Sequence, residues 1–139
     1  MLYTYNSNEQ TLAANALLSF TANAVRTGCV ATHSAGETAI SLNRPGYYMV
    51  HFNADAVENG TAGNVKIQMQ NNGIDVVGAE ATAYSGADTD IVNLGFSAIV
   101  RVQPNCQAVS SNVPAVLTFV NAGVASLISN AAVVVTKIA

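Results

Sequence analysis

The sequence predicts an all-β chain folded as an antiparallel β-sandwich. Three observations lead there. Apolar residues recur with a period of two rather than 3.6 along most of the chain. An Asn-Gly pair, Asn72-Gly73, sits between two alternating segments, the pattern of a tight hairpin whose central residues both take positive φ. Turn residues divide the remainder into roughly eight to ten short strands, at the spacing expected of a sandwich.

Taken in order, the polar opening MLYTYNSNEQ precedes TLAANALLSFTANAV. The Ala and Leu content there favours a helix over Leu12 to Leu18. The following Thr, Asn and Phe, and the strands around it, favour instead a strand near Leu17 to Val25. A short strand is expected at Ala39 to Leu42, and NRPG then turns the chain, since Pro45 fixes φ and Gly46 permits a positive one. In GYYMVHFNADA, residues 46–56, Tyr48, Val50, Phe52, Ala54 and Ala56 form one apolar row. Tyr47, Met49, His51, Asn53 and Asp55 form the other.

Gly60 and Gly63 end that strand. NVKIQMQ alternates clearly, with Val65, Ile67 and Met69 on one side, and IDVVGAEATAYS returns after the hairpin. GADTD is a loop. IVNLGFSAIVRVQ places Val92, Leu94, Phe96, Ala98, Val100 and Val102 in step, with Ile99 interrupting the polar row. PNCQAVSSN is expected to turn the chain and VPAVLTFVN to be a strand. AGVASLISN reads as a turn plus a short strand, and AAVVVTKIA as the last strand. Both faces of that last strand are apolar, so it is expected to be central and covered on both sides.

The bulk properties narrow the function. With 139 residues the chain suits one domain able to bury roughly 70% of its unfolded surface. Only 9% of its residues are charged, against about 25% in ordinary proteins. A surface of Asn, Thr, Ser and Gln repels itself weakly and fits a protein packed against copies of itself or a larger assembly. The five cations, Arg26, Arg44, Lys66, Arg101 and Lys137, are dispersed, so no nucleic-acid partner is expected. No apolar run is long enough to cross a membrane, and the N-terminus carries no secretory signal pattern. Cys29 and Cys106 have neither zinc nor redox spacing and read as two thiols, with a disulfide between them left open.

Candidate chemistry is sparse. His51 and Asp55 share a strand face but lie about 13 Å apart at roughly 3.3 Å per residue, too far to share one metal ion. His33 and Asn53 do not complete a tetrahedral set. GADTD, residues 86–90, puts Asp88 and Asp90 at alternate loop positions but lacks the distal Glu of a helical calcium loop. SAGE, residues 34–37, with His33 beside it, reads as a turn rather than a nucleophile with its base. Asn59-Gly60-Thr61 fits the glycosylation acceptor pattern. No cofactor, metal site or catalytic residue is expected, and the chain is not expected to be an enzyme.

The order of the segments resembles the tumour-necrosis-factor-like jelly roll, which includes the globular heads of complement-type collagen-like proteins and heads on phage and bacterial surface proteins. ANALLSFTANAV resembles the first strand, with Phe20 at its aromatic position. ISLNRPGYYMVHFNADAV resembles the family's apolar-rich Gly-x-Tyr-x-Val segment, through Ile40, Leu42, Gly46, Tyr48, Val50, Phe52 and Ala54. VKIQMQNNGIDVVGAEA resembles its hairpin, and AAVVVTKIA its closing strand.

The resemblance covers residues 13–139 and leaves residues 1–12 as a polar segment able to serve as a tether. It implies a homotrimer packed around a threefold axis through one sheet, with Tyr47, Met49, His51 and Ile99 as candidate interface residues. It further implies a trimeric head displayed on a phage virion as a capsid decoration, head-fibre or tail-associated protein. Such a protein is assembled in the host cytoplasm and contacts capsid or other virion proteins and host-surface glycans. The alternative it carries is the adhesion head of a collagen-like bacterial spore- or cell-surface protein.

Overall fold

The computed structural model describes residues 1–103 and 115–139. The chain forms eleven strands among these residues: β1 (Leu2–Asn6), β2 (Gln10–Leu12), β3 (Ala22–Arg26), β4 (Ala31–Thr32), β5 (Ile40–Leu42), β6 (Gly46–Glu58), β7 (Gly63–Asn71), β8 (Ile74–Ser85), β9 (Val92–Val102), β10 (Ala115–Asn121) and β11 (Ser126–Lys137). They make two antiparallel sheets. The first runs β3-β1-β11-β6-β9, with β2 pairing the early part of β11 beside β1. The second runs β4-β5-β10-β7-β8.

Alternation builds the core between them. In β6 the even positions Tyr48, Val50, Phe52, Ala54 and Ala56 are buried, as the pattern demands. Val65, Ile67 and Met69 of β7 and Leu117 and Phe119 of β10 face them from the other sheet. Phe119 stacks on Phe52 across the sandwich, centroids 5.1 Å apart, and Phe96 and Phe20 close around the pair. The expected hairpin joins β7 to β8: Asn72 and Gly73 have φ of 52° and 82°, the two positive values this turn requires.

Several expectations are corrected. The preference for a strand over a helix at Leu12 to Leu18 holds in that no helix forms there, but the strand expected from Leu17 begins only at Ala22. Residues 15–18 instead run along the β10 edge. Asn15 and Leu18 donate to the carbonyls of Asn121 and Phe119, Leu17 makes an isolated bridge to Val120, and Leu18 and Phe20 drop into the core. β11 is one continuous strand with a bulge at Asn130, which takes φ of 52°. It is central as expected but covered on one side only. Val133 and Val135 are buried, while Ala132 and Val134 lie half-buried on the outer face.

The boundary at residue 12 also moves. Residues 2–12, read as a segment preceding the jelly roll, belong to the sandwich. Leu2, Thr4, Asn6 and Leu12 are buried, and β1 pairs with both β11 and β3. The polar look of LYTYN hides a strand whose inward positions include a threonine and an asparagine. Thr4 Oγ1 donates to the Ala22 carbonyl and Asn6 Nδ2 to the Ser19 carbonyl, so both are satisfied inside. The C-terminus is tied down too: Tyr47 N donates to the Ala139 carbonyl and Ile138 N to the Tyr47 carbonyl. The PNCQAVSSN turn, and with it Cys106, lies outside the described residues.

Candidate interaction face

The outer surface of the first sheet carries a group of exposed apolar residues that alternation directs away from the core. β6 contributes Tyr47 (41% exposed), Met49 (38%) and His51. β9 lies beside it in an unbroken ladder that sets Ile99 (56% exposed) opposite Met49, Ser97 opposite His51 and Arg101 opposite Tyr47. The structure thus brings together all four residues singled out from the sequence. Arg101 lies over the Tyr47 ring at 5.7 Å, and His51 Nδ1 meets Ser97 Oγ at 2.7 Å.

The face extends further than the sequence indicated. Val134 of β11 pairs with His51 on one side and with Tyr3 of β1 on the other, and Tyr3 in turn pairs with Val25 of β3. One row therefore crosses the whole sheet: Val25, Tyr3, Val134, His51, Ser97. Below it run Tyr5, Ala132, Asn53 and Gly95. Tyr3 and Tyr5 meet edge to face at 6.2 Å and wall a hollow of about 170 Å³ beside the Asn130 bulge. Tyr3, Tyr5 and Val134 escaped the sequence reading because they sit on segments taken as a tether and as a doubly covered strand. The available signal was the alternation in LYTYN.

The other predicted sites do not assemble. Asp55 is engaged by amides, its two oxygens accepting from Asn93 and Asn130, and not by His51. His33 is buried on the far side of the sheet, where Nε2–H donates to the Glu37 carbonyl at 2.8 Å and Nδ1 meets Asn23 Oδ1 and Thr4 Oγ1. Its Nε2 is thereby spent, and it does not serve Ser34 as a base. Residues 34–37 are the expected turn, closed by Glu37 N donating to the Ser34 carbonyl. In the 86–90 loop the Asp90 carboxylate accepts from Gly86 N.

Among the described residues no cluster of three or more His, Cys, Asp or Glu is placed to hold a metal ion. Cys29 is an exposed free thiol. No helix among the described residues is long and apolar enough to cross a membrane.

Compared by sequence, the chain matches no protein-family profile and no curated protein. Compared by structure, it superimposes on murine APRIL with a TM-score of 0.70 at 8% identity, covering 99% of this chain and 97% of that one. It also superimposes on the PRD1 vertex protein P5 with a TM-score of 0.53 at 19% identity, covering 99% of this chain and 96% of that one. The fold is the tumour-necrosis-factor-like jelly roll that the ordered segments resemble.

Proposed function

We propose that this chain is a non-enzymatic structural protein of a phage virion, displayed as a homotrimeric jelly-roll head that contacts host-surface glycans. The observation that carries the reading is the outer face of the first sheet. It presents Tyr47, Met49, Ile99, Tyr3 and Val134 on one continuous surface around His51. Contiguous exposed apolar residues of this kind mark protein–protein contact, and closed cyclic symmetry is the usual way for one chain to cover such a face. The likeness in fold to a vertex protein along nearly the whole of both chains supports a virion setting. The charge-poor composition supports close packing against like copies.

Residues 2–12 are built into the sheet, so this reading does not use them as a free tether to the particle. The deciding experiment is the absolute mass in solution, by light scattering on a size-exclusion column. A mass of three times 14.3 kDa is expected. A monomer at working concentrations overturns the trimeric head.

A further inference from the structure

A cleft of about 370 Å³ opens at the side of the sandwich, where β3 of one sheet faces β4 and β5 of the other. Arg26, Thr32, Ser34, Glu37 and Ser41 line it around the buried edge of His33. Its volume is within the range of small-molecule sites. Its chemistry is unlike theirs in one respect: the only apolar side chain on the wall is that of Ala39. A lipid, an aromatic compound or an apolar peptide would find no large apolar side chain to pack against. A ligand rich in hydroxyls would find partners throughout.

Two features narrow the ligand. Arg26 and Glu37 line the same cleft, yet among the described residues neither side chain is engaged in an ion pair or a side-chain hydrogen bond. Lys66 and Glu80 form the one ion pair found there. Among the described residues the guanidinium has no partner that competes with an anion, and its planar fork matches a carboxylate. The Glu37 carboxylate accepts from hydroxyl groups but repels a second negative charge, which disfavours a dianionic phosphate. Thr32 Oγ1 already accepts from Asn43 Nδ2, leaving its own proton to donate. Ser34 and Ser41 add hydroxyls that both donate and accept.

The wall is also held in place. The exposed turn bearing Ser34 and Glu37 is pinned from beneath. Gly36 N donates to the Phe20 carbonyl and Phe20 N to the Glu37 carbonyl. His33 Nε2 donates to that same Glu37 carbonyl, and Asn23 Nδ2 clamps the His33 carbonyl at 2.7 Å. A polar site ordered before its ligand arrives loses less on binding.

We infer that this cleft binds a sugar bearing a single carboxylate, a hexuronic acid unit, with Arg26 on the carboxylate and Glu37, Thr32, Ser34 and Ser41 on the ring hydroxyls. The biological use of the site rests on the glycan-contacting display reading. The site itself is argued from the cleft alone.

The test is an NMR titration of the full chain with glucuronate, glucose, acetate and inorganic phosphate in parallel. Saturable shifts confined to residues 26 and 32–41 are expected with glucuronate. Glucose and acetate should each bind at least about tenfold more weakly, since each offers half of the recognised groups. Arg26→Gln should lower glucuronate affinity by about tenfold or more, and Arg26→Lys, which keeps the charge but loses the fork, by an intermediate factor. Arg26 is exposed, so both variants should fold, as the unperturbed remainder of the spectrum would report.

No saturable response to glucuronate overturns the inference. So does equal binding of glucose, or binding of acetate or phosphate as tight as that of glucuronate. The light-scattering mass of the same sample separates the two readings. A trimer without a glucuronate response removes the cleft and leaves the assembly, whereas a monomer with that response does the reverse.

Discussion

The Tyr48 hydroxyl donates to the Arg44 carbonyl at 2.6 Å, fastening the Asn43–Gly46 turn to the core that Tyr48 fills. The residue is fully buried, and burial raises its ionisation above the ordinary value of 10.0, against the smaller opposing effects of the Arg44 carbonyl bond and charge. The folded state therefore keeps a proton that the unfolded chain gives up. The stabilisation is intact below pH 10 and is lost as pH climbs through the folded value. Tyr48→Phe should cost about 1 kcal/mol at neutral pH. It should also flatten the alkaline fall in stability. Thermal melts from pH 8 to 11 would show both; an unchanged alkaline limb would refute the assignment.

Phe119 is the second anchor. It stacks on Phe52 and Phe96 and meets Phe20 edge to face, joining the two sheets. Phe119→Ala should cost about 3–5 kcal/mol in denaturant unfolding, from lost burial and the cavity left behind. A cost near that of a surface substitution would mean that the sheets are not held through this cluster.

Asn121 ties the end of β10 to the chain's beginning. Buried, it directs Nδ2 at the carbonyls of Leu12, Ala13 and Val124, and its Oδ1 accepts from Gly123 N. Asn121→Ala leaves these groups without their partner and should destabilise by roughly 1–3 kcal/mol. Gly123→Ala should also destabilise, because a Cβ there would press on the Asn64 carbonyl and the Lys66 nitrogen. Chemical denaturation of each variant checks both.

The proposed trimer is tested by charge. Met49→Glu with Ile99→Glu puts two carboxylates opposite each other on the outer face, where neither residue supports the core. The far-ultraviolet circular dichroism spectrum should be unchanged, while the mass falls to that of one 14.3 kDa chain. A variant that keeps the parent mass would move the interface elsewhere.

Deletion of residues 1–12 should damage the fold itself. It removes the partner of Ala131 to Val135 and two buried leucines, exposing the edge of a central strand. Loss of a cooperative melting transition is expected. A truncated chain melting like the parent would restore the reading of this segment as a separate tether.

Much of this architecture was legible because strand alternation is local. The inward row of β6, the Asn72-Gly73 hairpin and the six-residue register of β9 each depend only on neighbours within a few positions. The candidate face was half legible for the same reason: Tyr47, Met49 and Ile99, with His51 among them, face outward on two adjacent strands. Its other half was not. Tyr3 and Val134 are far apart in the chain and meet only because β1 pairs with β11. The Arg26–Glu37 cleft was equally hidden, since Arg26 comes from a strand of one sheet and its other residues from the β4–β5 region of the other.

The sequence by itself determined which side chains point inward, where the chain turns and that the fold is an all-β sandwich. Those features follow from backbone sterics and from the period-two separation of apolar and polar groups. Tertiary structure alone decided which partners the polar opening strand takes, that the last strand has one open face, and which exposed residues become neighbours. Strand pairing is a choice among distant partners, made by the joint burial of both sheets, and no short stretch of sequence carries it.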